Sequence, residues 1–272
     1  MASVAAADAT IARADDAAVT ANRALSAAAH NKYEDAINLY TETLRSGDLS
    51  ESDRAALEDK RGVAYASTGQ VEKAIADFDS VVRRKPHYLF AYFNRGAALD
   101  GMGRYAAAIA DFDAVLKYDS GSGAAYFMRG QAQFHARRFA ASASDFAHDV
   151  EVAPADALAV AWLDLAQRRA GKDDRHALAK NAAAVDLKQW PGPVVALYLG
   201  KLTAKQLMAA AANPNADIQT DRQCQGNFYI GQAALLDHHP AEARRLFTEV
   251  NQHCPVTLAE YIGARAELTH LK

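Results

Sequence analysis

The chain has 272 residues, half of them apolar and 23% charged, with a net charge of −3 and a pI near 6.3. A balance this close to neutral argues against nucleic acid as the main partner, because no basic excess exists to displace counterions from phosphates. No uncharged apolar run reaches the ~18 residues that a membrane-spanning helix needs.

Taken in order, Met1-Ala-Ser-Val-Ala-Ala-Ala-Asp8 has neither a basic start nor a long apolar stretch. It is not an intact export signal, and reads as the trimmed edge of a mature exported protein with an added Met. The adjacent carboxylates Asp15 and Asp16 read as a solvated helix face. Tyr33-Glu-Asp-Ala36-Ile-Asn-Leu-Tyr40 is expected to be helical and to stop at Gly47, and Leu49-Ser-Glu-Ser-Asp53 reads as a polar helix start. From there one phrase recurs. Arg61-Gly62, Arg95-Gly96 and Arg129-Gly130 lie 34 residues apart, and so do Asp77-Phe78, Asp111-Phe112 and Asp145-Phe146. This period predicts a stack of helical hairpins, none able to bury its apolar face alone, and leaves room for roughly seven helix pairs.

The spacing assigns each residue a place. Gly62, Gly96 and Gly130 in the first helices, with Ala74 and Ala108 in the second, let two backbones approach beside an aromatic ring. The fourth copy keeps Tyr126, Gly130, Phe146 and Pro154, with Ser142 in the Ala slot. Gly69, Gly103 and Gly171 fall in turns, and Pro86 and Pro154 follow second helices, which proline cannot continue. With Tyr92, Leu99, Gly103 and Tyr105 added, the phrase closely resembles the tetratricopeptide repeat. That resemblance implies an all-α solenoid of helical hairpins wound as a right-handed superhelix, and a binding role in place of catalysis. Weaker copies lie after Pro154: Trp162, Leu165 and Gly171 suggest a fifth first helix, and Gly231, Ala243, Phe247 and Pro255 a last repeat before a capping helix over 256–270.

First helices of such repeats line the concave side, which places Phe90, Phe93, Asn94, Asp100, Phe127, Gln131 and Phe134 on a groove wall, with His135 beside them. Aromatic side chains there suit a peptide or helix with apolar anchors, and Asn94 suits a guest backbone. The alternative for each Phe is packing against the next repeat. The carboxylate clamp of some repeat co-chaperones does not fit, since Asp59, Val63, Phe93 and Phe127 occupy its slots and no cationic pair is present. Arg61, Arg95 and Arg129 read as a structural ladder to Asp77, Asp111 and Asp145 on the partner helices. Such a ladder serves packing specificity more than ligand binding.

Cys224 precedes the last repeat's first helix and Cys254 follows its second, two ends that meet in an antiparallel hairpin. A disulfide is therefore reasonable, the alternative being two separate buried thiols; a bridge would indicate an oxidising compartment. Pro191 and Pro193 break the chain before an apolar stretch ending at Gly200, and Thr203 is expected to cap a helix carrying Gln206, Leu207 and Met208. The phrases Gln189-Trp190 through Tyr198-Leu-Gly200, and Gly226-Asn227-Phe228-Tyr229-Ile-Gly231, resemble the NlpI-type periplasmic repeat lipoproteins of Gram-negative bacteria, although no lipid-attachment cysteine stands near the start. The resemblance implies a homodimeric adaptor that docks a C-terminal processing protease and presents cell-wall (peptidoglycan) hydrolases to it. The simpler reading of Trp190 and Tyr198 is core packing.

The expected organisation is an N-terminal helix and four repeats over 1–156, a degenerate repeat and inserted helical hairpin over 157–218, and a last repeat with capping helix over 219–272. No phosphate loop, metal-ligand spacing or nucleophile elbow occurs, His238-His239 falls in a turn, and Asp173-Asp174 reads as a helix start. The expectation is a non-catalytic scaffold with neither cofactor nor metal, located in the periplasm or cell envelope. The alternative is a cytoplasmic assembly or secretion chaperone cradling a client helix.

Overall fold

The computed structural model describes residues 17–45 and 49–271. The expectations placed on Met1 to Asp8, on Asp15-Asp16 and on Gly47 lie outside the described residues. Every regular element among the described residues is helical, and none of these helices is long and apolar enough to cross a membrane. The fold is the all-α solenoid of hairpins that the period predicts, and its contacts gather into two compact units, one ending at Met102 and one beginning at Gly103.

The first unit contains α1 (17–29), α2 (Tyr33–Arg45), α3 (Glu51–Ser67), α4 (Val71–Arg84) and α5 (Leu89–Gly101). Successive helices pack on one another from α2 onward, and α5 also touches α3. Ala24 of α1 joins Ala36, Tyr40 and Leu44 of α2 and Leu57 of α3 in one apolar cluster. Ser50 starts α3 by accepting the Asp53 N–H, as the polar run before it predicts.

The second unit runs through α6 (Tyr105–Tyr118), α7 (Gly123–His135), α8 (Phe139–Val152), α9 (Ala157–Arg169), the short α10 (Arg175–Asn181) and a 3₁₀ turn (Ala182–Ala184). Then come α11 (Gly192–Tyr198), α12 (Ala204–Ala210), α13 (Ala216–Leu236), α14 (Pro240–His253) and α15 (Ala259–His270). Trp162 of α9 is its hub, ringed by Phe134, Phe146, Phe228 and Tyr229 at centroid distances of 5.1 to 6.2 Å.

Close helix approach rests on the small residue opposite an aromatic ring. A Cβ added to Gly62 would lie 2.6 Å from Phe78 Cε1, so alanine at that position forces the buried ring to move. Each hairpin turn then needs one residue in the left-handed region. Gly69, Gly103 and Gly171 supply it, with φ of 76°, 77° and 83°. Arg137 holds the corresponding position with φ of 59°, and Asn31 and His238 do the same in the α1–α2 and α13–α14 turns, with φ of 58° and 62°.

After α10 and the 3₁₀ turn come two short helices, α11 and α12, that touch each other, in the stretch where the sequence leads one to expect an inserted hairpin. Asp174 caps α10 by accepting from His176 and Ala177 N–H, and Thr203 and Gln206 form a reciprocal capping box at α12. Helix α11 packs between α9 and α13 with Val194, Val195 and Tyr198 buried. The Tyr198 hydroxyl donates to the Tyr229 carbonyl at 3.2 Å, and Trp190 Nε1 donates to Gln225 Oε1 at 2.7 Å. Gly226 faces Met208 and Trp190, and a Cβ on Gly192 would fall on the Asp186 carbonyl. Trp190 and Tyr198 thus serve packing, tying α11 and the turn before it to α13. Cys224 in α13 and Cys254 just after α14 form a disulfide with Cα atoms 5.8 Å apart, closing that hairpin at its open end.

Candidate protein-binding surfaces

In the first unit the inner positions of α3 and α5 carry Asp59, Val63, Phe90, Phe93 and Asn94. Phe90 stands 70% exposed, its ring edge-on to Tyr88 at 6.0 Å, and Val63 is also exposed. Asn94 Nδ2 donates to Asp59 Oδ1 at 3.0 Å, so this amide is engaged within the chain and not held ready for a guest backbone. Burial pushes the Asp59 carboxyl above its ordinary range, while the Asn94 hydrogen bond and Lys60 pull it back. Burial, reinforced by the Asp59 charge, also raises the Tyr88 phenol. The result is a polar seat beside two exposed apolar side chains, with Phe93 half-buried next to it.

The groove expectation needs correction at three residues. Asp100 is buried in α5, and Gln131 and Phe134 are buried in α7. Phe134 lies edge-on to Phe139 and Trp162, with the Arg169 guanidinium carbon 5.5 Å from its ring. Phe127 is half-buried, edge-on to Phe146. The surroundings of α7 come partly from far along the chain: α15 packs against α7, α13 and α14, with Gly263 set against Phe228 and the His135 ring. Glu267 of α15 holds Arg169 at 2.7 Å and accepts from Gln232 at 3.1 Å. Of the seven groove positions, Phe90 keeps the largest free surface.

The arginine ladder is present and broader than its sequence suggests. Arg61 forks onto both oxygens of Asp77 at 2.8 and 2.7 Å, and Arg129 onto those of Asp145 at the same distances. Arg129 also reaches back to Asp113 of α6 at 2.6 Å, and Arg95 to Asp79 of α4 at 2.5 Å. Asp111 is buried in α6. Each of these arginines lies over a tyrosine of its own helix, Tyr65, Tyr92 or Tyr126. The backward links to Asp79 and Asp113 join successive hairpins; their own 34-residue spacing was the available signal.

A second surface was not foreseen. At the edge of the second unit, the turn before α6 and the turn between α7 and α8 enclose a cleft of about 550 Å³. Its walls include Arg104, Tyr105, His135, Arg137, Arg138 and His270, and no carboxylate is among the described residues lining it. The three arginines and His270 are exposed. Among the described residues no three His, Cys, Asp or Glu side chains gather as a metal site.

Residues 21–88 and 93–156 match the tetratricopeptide repeat family. No curated protein is similar enough to the chain to count as a relative. Among solved structures, a tetratricopeptide repeat protein from Parabacteroides merdae has 15% identity and a TM-score of 0.61, covering 94% of this chain and 99% of that one. MamA (41-end) from Desulfovibrio magneticus has 20% identity and a TM-score of 0.56, over 61% of this chain and 91% of that one. The C-terminal part of a repeat protein from Cytophaga hutchinsonii has 16% identity and a TM-score of 0.51, over 91% and 87% respectively. Identities this low speak to the fold alone. The repeat spacing, the paired helices with their glycine-aromatic contacts, and these matches together make the chain a tetratricopeptide repeat protein, built as a scaffold for protein–protein interaction.

Proposed function

We propose that the chain is a cell-envelope adaptor that docks a C-terminal processing protease, a cell-wall hydrolase, or both. The observation that carries this reading is the Cys224–Cys254 disulfide, because structural bridges persist in oxidising compartments such as the periplasm. The resemblance of the phrases around Trp190, Tyr198 and Tyr229 to NlpI-type periplasmic proteins points the same way. The exposed Phe90, beside Val63 and the Asp59–Asn94 pair, is the anchor point that the adaptor offers a partner's apolar side chain.

The test has two parts. Mass spectrometry of the non-reduced protein reads the cysteines: an oxidised pair fits the envelope, and two free thiols favour a cytoplasmic chaperone. Co-purification from an envelope extract, with Phe90→Glu as control, reads the partner. The expected outcome is a protease or hydrolase retained by the native chain and lost by the variant; recovery of cytosolic proteins alone would sink the reading.

A further inference from the structure

The left-handed turn residue recurs at steps of 34: Gly69, Gly103, Arg137, Gly171. Glycine adopts that backbone freely, whereas a side chain there meets the carbonyl that follows it. Asn31 and His238 hold the same conformation in the α1–α2 and α13–α14 turns, but of the four turns in the 34-residue register one carries a side chain, Arg137, and the next residue, Arg138, is also basic. The neighbouring turn supplies Arg104 across the cleft, with His270 from the end of α15. The ladder arginines are neutralised by aspartates, but Arg104, Arg138 and His270 make no side-chain hydrogen bond or ion pair among the described residues. Among the described residues Arg137 has the Phe139 ring beneath it, 5.3 Å away, and no ion pair. In a chain of net charge −3, three guanidinium groups around one concavity with no carboxylate in its described lining make a locally basic surface that favours an anion.

We propose that this cleft docks the carboxylate side chains of an acidic peptide segment on a protein partner. Guanidinium forks hold carboxylates with two parallel hydrogen bonds, and the Tyr105, Ala106 and Ala107 wall suits the methylene stem of a glutamate. The concavity disfavours a flat membrane surface, and the overall acidity disfavours a nucleic acid. The inference goes beyond the adaptor reading and holds for a partner in any compartment.

The experiment uses the full chain and fluorescence anisotropy with a labelled, amidated hexaglutamate peptide, and hexaglutamine as control. Expected is saturable binding of hexaglutamate alone, weakened by salt. Arg137→Gly and the pair Arg104→Ala with Arg138→Ala should each bind about tenfold more weakly or worse. Arg137→Gly is the decisive variant, because it returns the turn to glycine: its unfolding midpoint should not fall while its affinity does. No binding of hexaglutamate, or binding unchanged in these variants, overturns the proposal. So does inorganic phosphate that competes as well as the peptide, which would make the cleft a small-oxyanion site. Binding of anionic phosphatidylglycerol vesicles without peptide binding overturns it in favour of a membrane surface.

Discussion

The ring of Phe247 lies so close to Gly231 that a Cβ at position 231 would come within 2.7 Å of its Cε1. Phe247 is fully buried and cannot swing aside without disturbing Phe228, whose ring is 5.9 Å away. Gly231→Ala should therefore cost about 1–2 kcal/mol, even though alanine favours a helix by ~1 kcal/mol. Gly130→Ala, where the nearest Phe146 atom would be 3.0 Å away, should cost less. Urea unfolding of the two variants checks the order.

Arg129 ties α8 to α6 through Asp145 and Asp113, and the first pair is far more sheltered, with side-chain exposures of 6% for Asp145 and 55% for Asp113. Arg129→Ala leaves a sheltered carboxylate unpaired and should cost about 2–3 kcal/mol. Asp113→Asn removes an exposed contact and should cost less than about 1 kcal/mol. Thermal unfolding that is unchanged in Arg129→Ala would count against the ladder's structural role.

The bridge between Cys224 and Cys254 closes a separation of 30 residues. Chain-entropy arguments give such a loop about 3–4 kcal/mol. The double variant Cys224→Ser, Cys254→Ser should unfold at correspondingly lower urea, and a reducing agent should lower the native midpoint while leaving the variant's where it is.

Asp164 is buried in α9 and its Oδ2 lies 3.8 Å from the Arg168 guanidinium, too far for a hydrogen bond. Burial pushes its carboxyl up to about 6, against the pull of Arg168 and Arg175. The folded chain thus keeps a proton that the unfolded chain releases near pH 4. The stability this group contributes is full below about pH 4 and is lost as pH rises through about 6. Asp164→Asn should flatten the pH dependence across that window and be the more stable protein at neutral pH, by on the order of 2 kcal/mol. Urea titrations at about pH 4.5 and about pH 7 read the difference.

The hairpins were legible because few residue pairs satisfy a tight helix contact: Gly62 with Phe78 and Gly130 with Phe146 declare themselves at a fixed step. Pro154, Asp174 and Thr203 marked helix ends for equally local reasons. The inner surface was not legible. Register places Gln131 and Phe134 on a face, but nothing local says that α15 returns to pack on the same helix. Asp79 and Asp113 recur at the same step, but their partners Arg95 and Arg129 lie on the following hairpin, which the phrase within one repeat does not reveal. The basic cleft left a readable trace, since Arg137 occupies the glycine slot of the repeat, yet its partner His270 comes from the far end of α15.

The Arg169–Glu267 pair spans 98 positions, whereas the Gln70–Glu34 pair of the first unit spans 36. Such separations set the order of events at the ribosome. The Gln70–Glu34 pair can close once α4 has emerged, but the second unit cannot complete its polar core until α15 has been synthesised, so its Arg169 and Gln232 wait on late-arriving chain. A stalled or shortened product would expose the aromatic cluster around Trp162, and quality-control proteases would meet that half of the molecule first.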